Sequence, residues 1–261
     1  VTAIEWTDAT WNPVTGCSKV SPGCAHCYAE TLSHRWQWTT KPWTPEHAAE
    51  NVVLHPERLS KPLSWRKPRM IFVNSMSDLF HELVPFEFIT EVFDVMVKAK
   101  HHTFQVLTKR PERMAEFMKG YWHGGDPSVC VCVSPTRPAR NIWLGTSIEN
   151  DRWTGRADIL REIPAAVRFI SAEPLLGPLP SLNLTGIHWL IVGGESGANH
   201  RPISEEWVRK LRDACIATRV RGSVEMNRSF GTAFFFKQWG GRTPKSGGRL
   251  LDGREWSEYP A

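Results

Sequence analysis

The sequence predicts an α/β fold built on a parallel sheet that closes into a full or partial barrel. Two observations carry this expectation. Short apolar, β-rich runs recur along the chain and end in polar or glycine residues, and helical stretches separate them. The runs are apolar almost without alternation, as expected for strands buried on both faces. An open doubly wound sheet is the competing architecture.

In chain order the strands are expected at Met70–Asn74, Thr103–Thr108, Ile142–Ser147, Val167–Ser171, Trp189–Gly193 and Ala233–Lys237. The first helix is expected over Pro85–Lys100, where Phe88, Ile89, Val92, Phe93 and Met96 recur at helical spacing and proline sits near the start. Pro111–Lys119, Asp151–Ile163 and Ser204–Thr218 follow. Ser204 suits the cap of the last, with Glu205 and Glu206 favourably placed in its first turn. Three stretches fall outside this rhythm. Residues 38–68 are rich in Pro and Trp and are expected to form an irregular lobe. Residues 121–140, with Cys130 and Cys132, read as an insertion, and residues 240–261 as a C-terminal cap. The whole of 1–261 reads as one domain.

The 261 residues are 41% hydrophobic and 23% charged, the balance of an ordinary globular protein able to bury a core without disulfides. No apolar run is long enough to span a bilayer, so no membrane partner is expected. Val1 to Trp6 lacks the basic and apolar regions of a signal peptide, which makes the cytoplasm the expected location. The formal charge of +5 permits a nucleic-acid or nucleotide substrate without requiring one. Most of the 13 Trp are expected in core or pocket walls.

Six cysteines in such a chain point to ligands, catalytic groups or buried thiols. Cys17, Cys24 and Cys27 are spaced Cys-x6-Cys-x2-Cys. Three neighbouring thiolates can hold three irons of a 4Fe-4S cluster and leave the fourth open to a cofactor. S-adenosyl-L-methionine (SAM) can chelate such an iron, and one electron from a donor then cleaves its sulfonium bond to give a 5′-deoxyadenosyl radical. Gly16 and Gly23 allow tight folding around the cluster, and Tyr28 is placed to pack beside it. A zinc site completed by His26 or His34, or simply buried thiols, remain open alternatives. Cys130 and Cys132 are either a second metal site or an ordinary loop pair, and Cys215 reads as core.

The runs Trp6-Thr7-Asp8-Ala9-Thr10-Trp11-Asn12-Pro13-Val14-Thr15-Gly16-Cys17, Cys24-Ala25-His26-Cys27-Tyr28-Ala29 and Gly193-Gly194-Glu195-Ser196-Gly197 resemble one family, the phage three-cysteine-motif proteins, a domain of unknown function. That family looks like a relative of radical SAM enzymes, nearest to the spore photoproduct lyase group. The resemblance covers nearly the whole chain. It implies a TIM-like (β/α) barrel with the cysteine loop at its top and, for a phage-encoded chain, the host cytoplasm. The usual radical SAM spacing is Cys-x3-Cys-x2-Cys, so the first gap here is three residues longer.

Chemistry in such barrels gathers at the C-terminal ends of strands. Ser75 and Asp78 follow the first run, Lys109 and Arg110 the second, Glu149 the third, Glu173 the fourth, and Gly193, Gly194 and Glu195 the fifth. Each can also be the start of a solvated loop. Together they suit a pocket for a zwitterionic, hydroxyl-rich cofactor. Glu149, Glu173 or Glu195 can accept from the SAM amino group or ribose, and Lys109 or Arg110 can pair with its carboxylate. Gly193 and Gly194 let backbone approach the cofactor. Asp78 and Lys109 are the candidate catalytic residues, and His81 is a candidate substrate contact. The functional expectation is a radical SAM enzyme acting on an unidentified, nucleic-acid-related substrate. The alternatives are a zinc- or cluster-stabilised binding protein, and a nuclease-like or DNA-repair factor that uses its basic tail.

Overall fold

The computed structural model describes residues 4–124, 138–222, 231–243 and 245–260. The chain divides into two compact units, one formed by 1–145 with 162–166 and the other by 146–161 with 167–261.

In the first unit, β1 (Ala9–Trp11) is followed by β2 (Val14–Thr15), α1 (Tyr28–Arg35), α2 (Ala48–Asn51) and β3 (Val53–Leu54). Then come β4 (Met70–Val73), α3 (Phe86–Lys98), β5 (Thr103–Thr108) and α4 (Pro111–Gly124), and β6 (Ile142–Ser147) begins. Strand β1 pairs in parallel with β4, Ala9 facing Ile71 and Trp11 facing Val73, and β4 pairs in parallel with β5. The apolar runs are buried as their composition demands: Ile71, Val73, Phe104 and Val106 are all at 0% exposure. All five helix positions expected to face the core, Phe88, Ile89, Val92, Phe93 and Met96, are buried. Burying each such side chain contributes on the order of 1.5–3 kcal/mol. Phe117 and Tyr121 on α4 pack against Phe93 on α3 at 5.1 and 5.4 Å between ring centroids, joining the two helices.

The Pro/Trp-rich stretch is irregular but anchored. Its short turns include Pro56–Arg58 and Lys61–Ser64, and β3 pairs antiparallel with β2. The Trp11 indole donates to the Arg58 carbonyl at 2.8 Å, pinning one of those turns to β1.

In the second unit, α5 (Gly155–Glu162) lies between β6 and β7 (Val167–Ala172), and β8 (Trp189–Gly193), α6 (Glu205–Gly222), β9 (Ala233–Gln238), β10 (Leu250–Leu251) and β11 (Arg254–Glu255) follow. Strands β7, β8 and β9 are parallel neighbours. Every residue of β8 is buried, matching its unbroken apolar sequence. The C-terminal tail lies antiparallel along β9: Phe236 donates to the Trp256 carbonyl at 2.9 Å and Glu258 to the Phe234 carbonyl at 3.2 Å. That pairing covers the outer edge of β9, whose free backbone groups would otherwise invite intermolecular pairing.

Within the first unit the strands run in the order β1-β4-β5, and within the second in the order β7-β8-β9, all parallel. The mixed α/β class with parallel strands is as expected. All six expected strands and all four expected helices are present, with ends shifted by a few residues. Among the described residues, no helix is long and apolar enough to cross a membrane. Most of the 121–140 segment, including Cys130 and Cys132, lies outside the described residues.

Candidate functional site

The cysteine loop begins where β1 and β2 end. Gly16 adopts a φ of +82°, and a Cβ there would sit 1.8 Å from the Asn51 carbonyl oxygen, so only glycine fits. Gly23, by contrast, lies within the turn Pro22–Cys24 and is not left-handed. Cys27 is the N-cap of α1, which places its sulfur near the positive end of the helix. Cys17, Cys24 and Cys27 are all half-buried, and Cys17 and Cys27 pack against an apolar group of Ala29, Trp43 and Met76.

Three clamps hold this loop. The first is Arg110, itself buried. Its Nε donates to both Glu82 oxygens at 2.9 and 3.1 Å. Nη1 donates to Asp78 Oδ2 at 3.3 Å and to Cys17 Sγ at 3.7 Å, and Nη2 donates to the carbonyl and hydroxyl oxygens of Ser18 at 3.2 and 3.1 Å. All five guanidinium N–H groups are thereby used within the chain. The second is Glu30 on α1, which pairs with Lys19 Nζ at 2.8 Å and accepts from the Trp43 amide at 2.8 Å. The third joins the loop after β4 to the N-terminal segment. Tyr28 donates its hydroxyl to the Ser75 carbonyl at 2.6 Å, and Asn12 Oδ1 accepts from the Ser75 hydroxyl and the Met76 amide at 3.2 and 3.0 Å.

Asp78 organises the strand ends beneath these clamps. Its carboxylate accepts from the Thr108 hydroxyl at 2.7 Å, from the Phe80 and Lys109 amides at 3.0 Å each, and from Arg110. His81 is buried, and its Nδ1 accepts the Leu83 amide at 3.1 Å. Its proton is therefore on Nε2, which donates to the Ser18 hydroxyl at 2.9 Å. Burial first, then the Arg110 charge, lowers the His81 pKa and keeps the ring neutral.

The sulfurs sense one another and the nearby charges. Burial pushes the Cys17 thiol up to about 12, the Asp78 carboxylate adds to this and Arg110 opposes it, with Cys27 and Cys24 contributing further. Burial also raises Cys27, against the amides of Glu30 and Ala29 and the positive charge of Lys109. Burial opposes the charge on Arg110, yet Asp78, Cys17 and Glu82 together hold its pKa above the ordinary value. Asn74, at the end of β4, is 2% exposed with φ +60°, and its Nδ2 lacks a hydrogen-bond partner among the described residues. Among the described residues, no three His, Cys, Asp or Glu side chains are grouped as donors to a single metal ion. His26 is exposed, and His34 Nε2 lies 3.0 Å from the Lys41 carbonyl.

In the second unit the strand-end acids are each matched to a cation. Glu149, at 0% exposure, pairs with Arg156 at 3.2 Å, and Glu173 pairs with Lys237 at 2.9 Å. Glu195 takes the Arg201 amide and Nε at 2.9 Å each and also its Nη2. The two glycines make room for the chain itself: a Cβ on Gly193 would lie 2.7 Å from Glu173 Oε1, and one on Gly194 would lie 2.1 Å from the Trp239 carbonyl oxygen. Cys215 is fully buried in the core, where burial raises its thiol well above the usual range.

Sequence reasoning did not single out Asn12, Ser18, Glu30 or Glu82. Ser18 and Asn12 lie within or beside the cysteine motif, so adjacency was the available signal. Glu30 and Glu82 carry no motif at all, and only tertiary contact reveals them. No curated protein and no solved structure matches the chain. Residues 1–260 match the family described as Protein of unknown function (DUF5131), and the chain belongs to that family.

Proposed function

We propose that this protein is a radical SAM-type iron–sulfur enzyme of the phage three-cysteine-motif kind, acting on an unidentified, nucleic-acid-related substrate. Cys17, Cys24 and Cys27 would hold the 4Fe-4S cluster, which supplies the electron that cleaves SAM reductively. The observation that carries the reading is the hold of one buried cation on the cysteine loop. Arg110 Nη1 donates to Cys17 Sγ at 3.7 Å. A cation beside a sulfur favours the deprotonated form that ligation requires, working against the burial that raises the Cys17 thiol.

The donor set and its surroundings fit the group in kind. The apolar wall of Ala29, Trp43 and Met76 limits water at Cys17 and Cys27, and a drier environment strengthens each charge interaction there. Asn74 Nδ2 is a buried donor with no partner among the described residues, as expected of a group that meets an acceptor on a ligand. Lys109 is the proposed cation for a ligand carboxylate. Arg110 and Asp78, with their hydrogen-bonding capacity spent inside the chain, act as positioning residues for the loop. Tyr28 and Ser75 hold the rim through their mutual hydrogen bond.

The test is reduction of anaerobically purified protein with dithionite in the presence of SAM, followed by assay for 5′-deoxyadenosine. The wild-type protein should release it, and Cys27→Ser should not. A coloured, reducible protein that leaves SAM intact would overturn the radical assignment.

A further inference from the structure

The segment from Arg58 to Arg69 carries five cations, Arg58, Lys61, Arg66, Lys67 and Arg69, and no acid. Lys61, Arg66, Lys67 and Arg69 are exposed, and Arg69 covers the Trp65 ring at 4.9 Å. Among the described residues, Lys61, Arg66 and Lys67 have no carboxylate partner. Two of these cations, Arg58 and Lys61, line a groove of about 230 Å3 together with Thr10, Trp11, Asn12 and Trp38.

Two large indoles stand out from the same lobe. Trp36 is 48% exposed and Trp38 50%, with ring centroids 4.7 Å apart. The turn that ends α1 presents them. Gln37 takes a φ of +56°, its amide donates to the His34 carbonyl at 3.1 Å, and the Trp38 amide donates to the Ser33 carbonyl at 2.9 Å. This is the Schellman pattern with glutamine where glycine is usual. Exposing two indoles forgoes the burial that normally holds such side chains in the core.

We infer that this groove and its basic stripe bind single-stranded nucleic acid, with a base stacked on Trp38 and phosphates on Lys61, Arg66 and Lys67. An aromatic platform beside a cationic track is the recognition mode for unpaired strands. A groove below the ~300–1,000 Å3 that encloses a drug-sized ligand suits one unit of a longer chain. An acidic peptide would satisfy the cations, but only a nucleic acid brings a ring with every phosphate along its length. The inference gives the proposed enzyme its substrate class and rests on that reading for its purpose only. Binding is measured without SAM, so loss of either result leaves the other standing.

The experiment is fluorescence anisotropy of a labelled oligothymidylate and a labelled oligouridylate of about 12 nucleotides with the purified full chain, over a salt series, alongside a duplex of equal length. Single strands should bind more tightly than the duplex, and the better of the two homopolymers identifies DNA or RNA as the source. Trp38→Ala should weaken binding roughly tenfold. Lys61→Ala and Lys67→Ala should each lower the log–log salt slope by about 0.7. Because these side chains are exposed, circular dichroism should show every variant folded. Absence of binding at low salt would overturn the inference. So would a Trp38→Ala variant that binds as the wild type does, since a purely cationic surface would account for that.

Discussion

The two units place charge at their strand ends in opposite ways. In the second, three acids each have a cation: Glu149 with Arg156, Glu173 with Lys237, Glu195 with Arg201. In the first, one guanidinium serves Asp78, Glu82, Ser18 and Cys17 together. Pairwise neutralisation makes a set of local supports. A shared cation makes a single point on which the loop, the strand ends and a thiol all depend. The comparison teaches that the cysteine loop is positioned from outside, by a residue 93 positions away from Cys17.

The sharpest way to break this comparison is to remove one cation from each unit. Arg110→Met leaves Asp78 buried without its partner, and should cost about 3–5 kcal/mol in urea unfolding. Arg201→Met removes a side chain that is 33% exposed, so solvent compensates Glu195 in part and the loss should be about 1–2 kcal/mol. Equal losses would mean that Arg110 is one support among several.

Glycine substitutions sharpen the same contrast. Gly194→Ala drives a methyl into the Trp239 carbonyl and should destabilise by about 1–3 kcal/mol. Gly16→Ala meets the Asn51 carbonyl and also a left-handed φ, so it should cost more than Gly194→Ala in the same melt.

The histidines separate the units by pH. Burial, the foremost cause in each case, lowers the pKa of His55, His81 and His102 in the first unit and of His188 in the second. The unfolded chain then binds protons that the fold refuses. Stability should hold above about pH 6.5 and fall as the pH drops below it toward the lowered folded values. Urea midpoints between neutral and mildly acidic pH measure this slope, and His81→Gln should flatten it. The smallest effect is a gain: Gln37→Gly relieves a left-handed residue and should raise stability by about 1 kcal/mol in a thermal melt.

Much of the fold was legible because burial writes itself into composition. Runs such as Trp189-Leu190-Ile191-Val192-Gly193 have no polar face to expose, and α3 repeats its apolar residues at helical spacing. The elements that escaped are short or locally unremarkable. Ala9-Thr10-Trp11 becomes a strand only by pairing with β4, some sixty residues on, and α1 is a polar octapeptide whose start is set by Cys27. At the site, the residue types were readable but their commitments were not. Arg110 reads as a free anion clamp until all five of its donors are found engaged, and Gly193–Gly194 reads as a cofactor approach until Glu173 and Trp239 are found filling the space.

The central claim is that Cys17, Cys24 and Cys27 together hold an iron–sulfur cluster. Iron and acid-labile sulfide analysis of anaerobically purified protein tests it most directly, with Cys17→Ala, Cys24→Ala and Cys27→Ala measured alongside. The account predicts about four irons and four sulfides per chain, with visible absorption, in the wild type and loss of both in each variant. Stoichiometric zinc without sulfide, or a full complement of iron and sulfide in any single variant, would contradict it.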